Sequence, residues 1–474
     1  MDKSRKKKEL AKNTLIIMVG QICTKFLSFF LLPLYTYVLD SSEFGIVDIV
    51  TTYVGLIVPC ITLQLENGAF RFLVDVREDE EKKKRIITNV LSGAVILTCI
   101  GVSIYVVIGL IVKIPFKHYI MLLVLMTIVA GIVLQMARGL GDNMAYSIGS
   151  LIAGGCTIVF NVIFLVVIPL GPKGMFLSII IANALCALFV FIKCGLIKYI
   201  DFTCIDKKEI FEILRYSIPL VPNSIIWWIV NASDRTIIAV FLSTAANGVY
   251  AVAYKFSNAV ISVYGVFGMT WTESTSLYLK EGDKDHFISD TFVSMIKLFS
   301  GVCLGIIGCM SFVFPIMVRG DKYSDAYNYI PILMIGCVFN IIVALIGAIY
   351  VALKKTKEIA FTSLWSGIIN VVINVIFVRY IGLYAAAIST AVAFGVMVIY
   401  RYHDVQRYIR LKFSPKVAIL ILSAFVLSTI LYYIDSFIGN IINALFVFAF
   451  FFFINRTMIF KILDVYIFQY IKDS

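Results

Sequence analysis

The chain is a succession of apolar stretches, each about as long as a bilayer is thick, cut apart by short charged or Gly/Pro-rich breaks. A hydrocarbon core of about 30 Å is crossed by roughly 20 helical residues. With no water there to bind backbone N–H and C=O groups, only helices or closed barrels can span it. These stretches are continuously apolar rather than alternating with period two, which excludes an outer-membrane barrel. The fold expected is an all-α polytopic membrane protein with about 14 transmembrane helices. Its spans are placed at 13–38, 44–66, 86–112, 119–137, 146–169, 175–197, 216–242, 248–275, 288–317, 327–351, 359–379, 383–401, 416–434 and 438–455. Composition excludes a soluble domain on the same grounds: 61% of residues are hydrophobic and 15% charged, and the mean hydropathy is +0.95.

Orientation follows from the basic residues, which are retained on the cytoplasmic side of short loops. With the N-terminus inside, most Lys and Arg, Arg401 at the edge of the twelfth span among them, fall in inner loops and tails, and only Lys113, Lys117, Lys173, Arg319, Lys322 and Arg379 fall outside. Both termini are expected to be cytoplasmic. The basic start, Lys3 to Lys12, resembles a signal peptide, but the apolar stretch behind it is too long and has no small-residue cleavage site, so it reads as a retained first helix. The net charge of +12 is this loop bias; it attracts anionic membrane lipids and gives no reason to invoke nucleic acid. The cysteines sit mainly in apolar helices without CxxC spacing, and the three histidines are scattered. No cofactor or metal is expected.

A polar stretch at 198–215 separates the first six spans from the rest, and the two sides match weakly. Leu39–Gly45 (LDSSEFG) is spaced as Leu242–Gly248 (LSTAANG), and Asn-Val-Ile-Phe occurs at 161–164 and 374–377, followed by Gly171 or Gly382 and then Ser178 or Ser389. Six helices is an even number, so halves related by this repeat share one orientation. The architecture expected is two pseudo-symmetric six-helix lobes around a central cavity, 1–200 and 201–405, with two extra helices and a cytoplasmic tail at 406–474.

Lys25, Arg235 and Lys255 fall inside apolar spans, where a charge costs several kcal/mol unless it faces protein or water. Buried cations suit an anionic cargo, so the three are the candidate substrate-binding residues of a transporter with a cationic cavity. Polar residues at helical spacing mark the face turned from lipid. The second span gives Asp48, Thr52, Gly55, Pro59, Thr62 and Glu66; the first gives Gln21, Thr24, Lys25 and Ser28. The seventh gives Ser224, Trp228, Asn231 and Arg235 with Asn223, Trp227 and Asp234 alongside; the eighth runs through Lys255 and Asn258 to Glu273. Gln21, Thr24, Ser28, Asn223, Trp227, Trp228, Asn231 and Asn258 are the cavity-lining candidates. Asp48, Glu66, Asp234 and Glu273 either neutralise the cations or bind Na⁺ or H⁺ for coupling. Lys297 lacks polar companions at its spacing.

The ordered run Pro33–Gly45 with Asn67-Gly-Ala-Phe-Arg71-Phe72 resembles the first hairpin of Wzx-type polysaccharide flippases, in the multidrug/oligosaccharidyl-lipid/polysaccharide (MOP) exporter superfamily. Arg215–Pro222, Ser233-Asp-Arg235, Gly248-Val-Tyr250 and Ala253-Tyr-Lys255 are similar to its seventh and eighth helices. The resemblance covers nearly the whole chain. It implies a flippase, not an enzyme, that moves a polyprenyl-diphosphate-linked oligosaccharide to the outer leaflet by alternating access. The diphosphate would meet the cations, sugars would stack on Trp227, Trp228, Trp271 or Tyr254, and enzymes of a polysaccharide pathway would be partners. The alternatives are a multidrug cation antiporter of the same superfamily and a membrane glycosyltransferase or polymerase. Against the last, Asp283-Lys-Asp285 has metal-binding spacing but sits in a short loop with no nucleotide-binding domain.

Overall fold

The computed structural model describes residues 29–279 and 284–473, and among these residues there is no strand. Two compact units divide the chain, Met1–Ala232 and Ser233–Ser474. The first holds α1 (Leu32–Val38), α2 (Ser41–Thr62), α3 (Leu65–Asp75), α4 (Glu80–Ile111), α5 (Lys117–Leu140), α6 (Asn143–Val162), α7 (Pro172–Lys193), α8 (Lys207–Ser217) and the first half of α9 (Leu220–Phe241). The second holds the rest of α9 with α10 (Thr244–Tyr278), α11 (Lys284–Met317), α12 (Ile330–Ala352), α13 (Thr356–Ile381), α14 (Leu383–Val405), α15 (Pro415–Ile434) and α16 (Phe437–Asp473).

Twelve helical segments of the described residues are long and apolar enough to cross a membrane. They coincide with the second to seventh and the ninth to fourteenth expected spans. The eighth corresponds to α10, which is 35 residues long but carries too many polar residues to qualify by hydropathy. The first span is described only from residue 29. The all-helical membrane fold read from the sequence is therefore the observed one.

Helix boundaries follow local chemistry. Asp79, Asp142 and Asp206 accept from amides in the first turns of α4, α6 and α8, filling donors that a helix start leaves open. Asp40 and Glu43 form a reciprocal capping box at α2. In unit 1, α7 packs on α5 and α6; a Cβ on Gly149 would come within 2.5 Å of Val190, so the absent side chain sets how closely α6 meets α7. In unit 2, α12 is enclosed along its length, with Leu333, Met334, Ile341, Ile346 and Ile349 buried between α10 and α14.

The weak sequence repeat reappears as matched backbone. Gly171 (φ 58°, ψ −136°) precedes α7, and Gly382 (φ 58°, ψ −135°) precedes α14. This conformation is open essentially to glycine alone. Seven residues on, Ser178 and Ser389 are both fully buried and donate to carbonyls of their own helices, Gly174 and Ala386. Asn161 and Asn374, at the head of the repeated string, each donate to the helix that opens their half: Asn161 to the Tyr35 hydroxyl at 3.0 Å, Asn374 to the Asp234 carboxylate at 3.0 Å. Asp40 and Ser243, equivalent in the LDSSEFG/LSTAANG match, both accept from the amide three residues on.

The polar stretch around 198–215 is fastened to unit 1. Lys84 pairs with Asp201 at 2.7 Å, and Arg85 lies 3.5 Å from Glu209. Asn89 donates to the Cys204 carbonyl and to Glu209, and accepts from the Asp206 amide; Thr88 donates to the Tyr199 carbonyl and accepts from the Asp201 amide. Arg401, counted from sequence among the cytoplasmic-loop cations, is instead 1% exposed. Its guanidinium donates to Thr362, Ser363 and the carbonyls of Val343 and Ile359, which explains how a charge is held between α12, α13 and α14.

Gly171→Ala and Gly382→Ala are each expected to lower stability by about 1–3 kcal/mol, read as a drop in thermal unfolding temperature in detergent. A Cβ on Gly382 would meet nothing within 4 Å, so its cost is purely conformational. Gly305→Ala, with the same open space at an ordinary helical position, should show no such drop. The Asp201 carboxyl is held well below the usual carboxylate range by the Lys84 hydrogen bond, then by the Thr203 hydroxyl and amide. A depressed folded pKa contributes stability above the unfolded value of about 3.9, lost as pH falls through the lower folded value. The gap in melting temperature between the parent and Asp201→Asn should therefore be constant from pH 5 to 8 and narrow only below about pH 4.

Candidate functional site

In unit 2, α9 carries Ser233, Asp234 and Arg235 in succession, all buried. The Asp234 carboxylate receives three hydrogen bonds from three other helices: Tyr250 Oη of α10 at 3.0 Å, Thr390 Oγ1 of α14 at 2.7 Å and Asn374 Nδ2 of α13 at 3.0 Å. Thr390 in turn accepts from Asn370 Nδ2 at 3.0 Å, and the Ser233 hydroxyl donates to Asn370 Oδ1 at 3.3 Å. A buried carboxylate costs several kcal/mol unless its lone pairs are filled, and here neutral donors fill them. Asn374 Oδ1 is buried and has no hydrogen-bond partner. An open amide oxygen on a residue bonded to a buried carboxylate offers oxygen ligands of the kind a hard cation or a shared proton takes.

Arg235 points its guanidinium at the Tyr254 ring, 4.5 Å from the centroid, and Tyr254 stacks with Tyr250 at 6.3 Å. One turn of α9 thus offers a carboxylate sealed in a hydrogen-bonded network and, next to it, a cation held over an aromatic ring. Lys255, beside Tyr254 on α10, is half-buried.

In unit 1 the predicted polar faces of the second and seventh spans meet. Trp228 Nε1 of α9 donates to the Thr52 carbonyl of α2 at 2.9 Å, its ring lies 5.4 Å from that of Tyr53, and Gln64 Nε2 donates to Ser224 at 2.8 Å. Asn67 Nδ2 donates to the side-chain Oε1 of Gln64. Gln64 and Leu63 both have positive φ, so the α2–α3 corner is a strained turn that this network holds. Asn231 donates back to the Trp227 carbonyl at 2.9 Å.

The remaining candidates are dispersed. Asp48 and Trp227 are half-buried; Asn223, Asn258 and Glu273 are exposed. Glu66 stands in the first turn of α3. Gln21, Thr24, Lys25 and Ser28 lie outside the described residues, as does Asp283, whereas Asp285 falls in the first turn of α11. Trp271 leaves the sugar-stacking set: it is 2% exposed and its indole N–H donates to the Leu345 carbonyl at 3.0 Å, making it a strut between α10 and α12. The partners of Asp234 were not singled out from sequence. Thr362, Ser366, Asn370 and Asn374 form a stripe at steps of four on α13 and are all buried, so the spacing criterion used for the second span would have found them.

Comparison with known proteins places this architecture. The model of the family described as "Polysaccharide biosynthesis protein" matches residues 10–272. The chain belongs to that family. A curated relative from Haloferax volcanii, "Probable low-salt glycan biosynthesis flippase Agl15", is 24% identical over 256 residues, 52% of each chain; the match thus spans about half the length of that relative. Among solved structures, the lipid II flippase MurJ in an inward closed conformation matches with a TM-score of 0.74 over 95% of this chain and all of the other, at 14% identity. An inward-facing multidrug resistance MATE family transporter of the MOP superfamily matches with a TM-score of 0.67 over 82% of this chain and 98% of the other, at 14% identity. The fold is therefore the one that MurJ and MATE transporters share, and the family expected from the motifs around Pro33–Gly45 and Ser233–Arg235 is the one found.

Asp234→Ala should be less stable than Asp234→Asn, and both less stable than the parent. Removing the carboxylate leaves the Tyr250 and Thr390 hydroxyls and the Asn374 amide without their acceptor, at about 1–3 kcal/mol for each buried group left open, whereas asparagine keeps one acceptor oxygen. Thermal unfolding of the three proteins in one detergent checks the order.

Proposed function

We propose that the protein is a flippase that carries a polyprenyl-diphosphate-linked oligosaccharide from the inner to the outer leaflet of the cytoplasmic membrane by alternating access. The observation that carries this reading is Arg235, a guanidinium buried in a membrane-spanning helix of a polysaccharide biosynthesis family member and held over Tyr254. A diphosphate is the chemistry that gives such a cation a strong partner. Lys25 and Lys255 are its proposed companions, and the sugars would be met by polar and aromatic groups such as Asn231, Trp227 and Trp228. The glycan-flippase relative and the MurJ-like fold support the same cargo class. Both termini would face the cytoplasm, where polysaccharide-pathway enzymes would dock.

Asp234 is the proposed coupling group. Na⁺ bound by its carboxylate and Asn374 Oδ1, or a proton taken by the carboxylate, would change the charge next to Arg235. Ion occupancy and the cation's availability to cargo would then be linked through adjacent residues of one helix. The MATE-like fold favours a second reading, an antiporter exporting organic cations, for which Asp234 rather than Arg235 would meet the substrate.

Translocation of a labelled polyprenyl-diphosphate oligosaccharide into proteoliposomes, with imposed Na⁺ or pH gradients, tests both. Arg235→Ala and Lys255→Ala, inserted at matched levels, should each slow flipping at least about tenfold, equivalent to 1.4 kcal/mol. Asp234→Asn should abolish the response to the ion gradient. Export of an organic cation by a parent that moves no glycan would replace the flippase reading with the antiporter.

A further inference from the structure

At the end of α4 remote from the Lys84–Asp201 clasp, unit 1 has a recess of about 470 Å³ lined by Lys113, Lys117, His118 and Lys173, with Phe116 and Tyr119. Three of the six basic residues that the charge pattern assigns to the outer side are gathered there. No carboxylate lines the recess, and among the described residues none of the three lysines forms an ion pair. Glu43, beside Gly171, is engaged by the Asp40 amide at 3.0 Å and is not part of the lining.

The backbone adds to the same sign of charge. Lys117 opens α5 and Lys173 is the second residue of α7. The rings of Phe116 and Phe176 lie 5.7 Å apart, so the two helix starts adjoin. A helix start carries partial positive charge and unfilled amides, and neither Phe116 nor Gly171 supplies a capping side chain. Lysines in these first turns stand against the local field, and nothing of opposite sign lies among them. One anion in the recess would meet the three ammonium groups and the imidazole together.

We propose that this recess binds a phosphate-class anion, the phosphate or diphosphate either of a membrane lipid or of a soluble phosphorylated compound. The proposal concerns binding alone and stands apart from the flippase reading. The full chain in phosphatidylcholine nanodiscs would be titrated with sodium pyrophosphate. In parallel, native mass spectrometry in detergent would compare retention of phosphatidylglycerol with that of phosphatidylcholine.

Lys113→Gln/Lys117→Gln/Lys173→Gln is expected to weaken binding at least tenfold. Lys193→Gln/Lys198→Gln/Lys207→Gln, which removes the same charge from exposed positions at the other end of unit 1, should leave it unchanged. Replacing the three recess lysines by arginine should retain binding, which separates loss of the site from loss of the fold. Binding of pyrophosphate alone identifies a soluble phosphate as the ligand, and selective retention of phosphatidylglycerol alone identifies a lipid headgroup. Equal binding by the parent and the recess glutamine variant, or equal loss in both glutamine variants, overturns the proposal.

Discussion

A carboxylate inside a membrane protein has to find every one of its partners within the protein, and Asp234 finds them on three helices other than its own. Tyr250, Asn374 and Thr390 meet its two oxygens, so α9, α10, α13 and α14 are registered against one another by a single charged group. Dispersion and apolar contact are permissive about register, whereas three directional bonds to one carboxylate are not. Arg235 inherits its position from that arrangement, because it is the next residue on a helix whose rotation is already fixed. The cation proposed for cargo and the acid proposed for coupling are thus located by one constraint.

The large features were legible because bilayer thickness imposes them. Apolar length gave the helices, twelve of them apolar enough to cross a membrane among the described residues, and α10, too polar to stand out by hydropathy, was still bounded by the polar breaks on either side. The repeat was faint as letters and plain as backbone: Gly171 and Gly382 share a conformation that other residues resist, so glycine is required at both places whatever apolar residues surround it. Asp234 and Arg235 were visible as charges in an apolar run.

What the sequence concealed was partnership. Asn370, Asn374 and Thr390 are commonplace polar residues of membrane helices, and only the fold brings them to a carboxylate 140 or 156 residues away in the chain. Trp271 shows the reverse error: the family resemblance offered its ring to the sugars, whereas its buried indole is bonded to the Leu345 carbonyl. Arg401 was misplaced because it sits at the edge of a span, where a loop cation and a buried one look alike in sequence. Its four neutral acceptors come from two other helices, which no local pattern encodes.

The repeated asparagine holds a different kind of group in each half. In the first half Asn161 braces a neutral tyrosine, and in the second its counterpart braces an ionisable acid. The two asparagines provide the same brace and differ in what it holds. An assembly of two identical chains could not make that distinction, because any acid introduced in one copy would appear in both. Within one continuous chain the two braces can hold different groups, here a phenol in one half and an ionisable acid in the other.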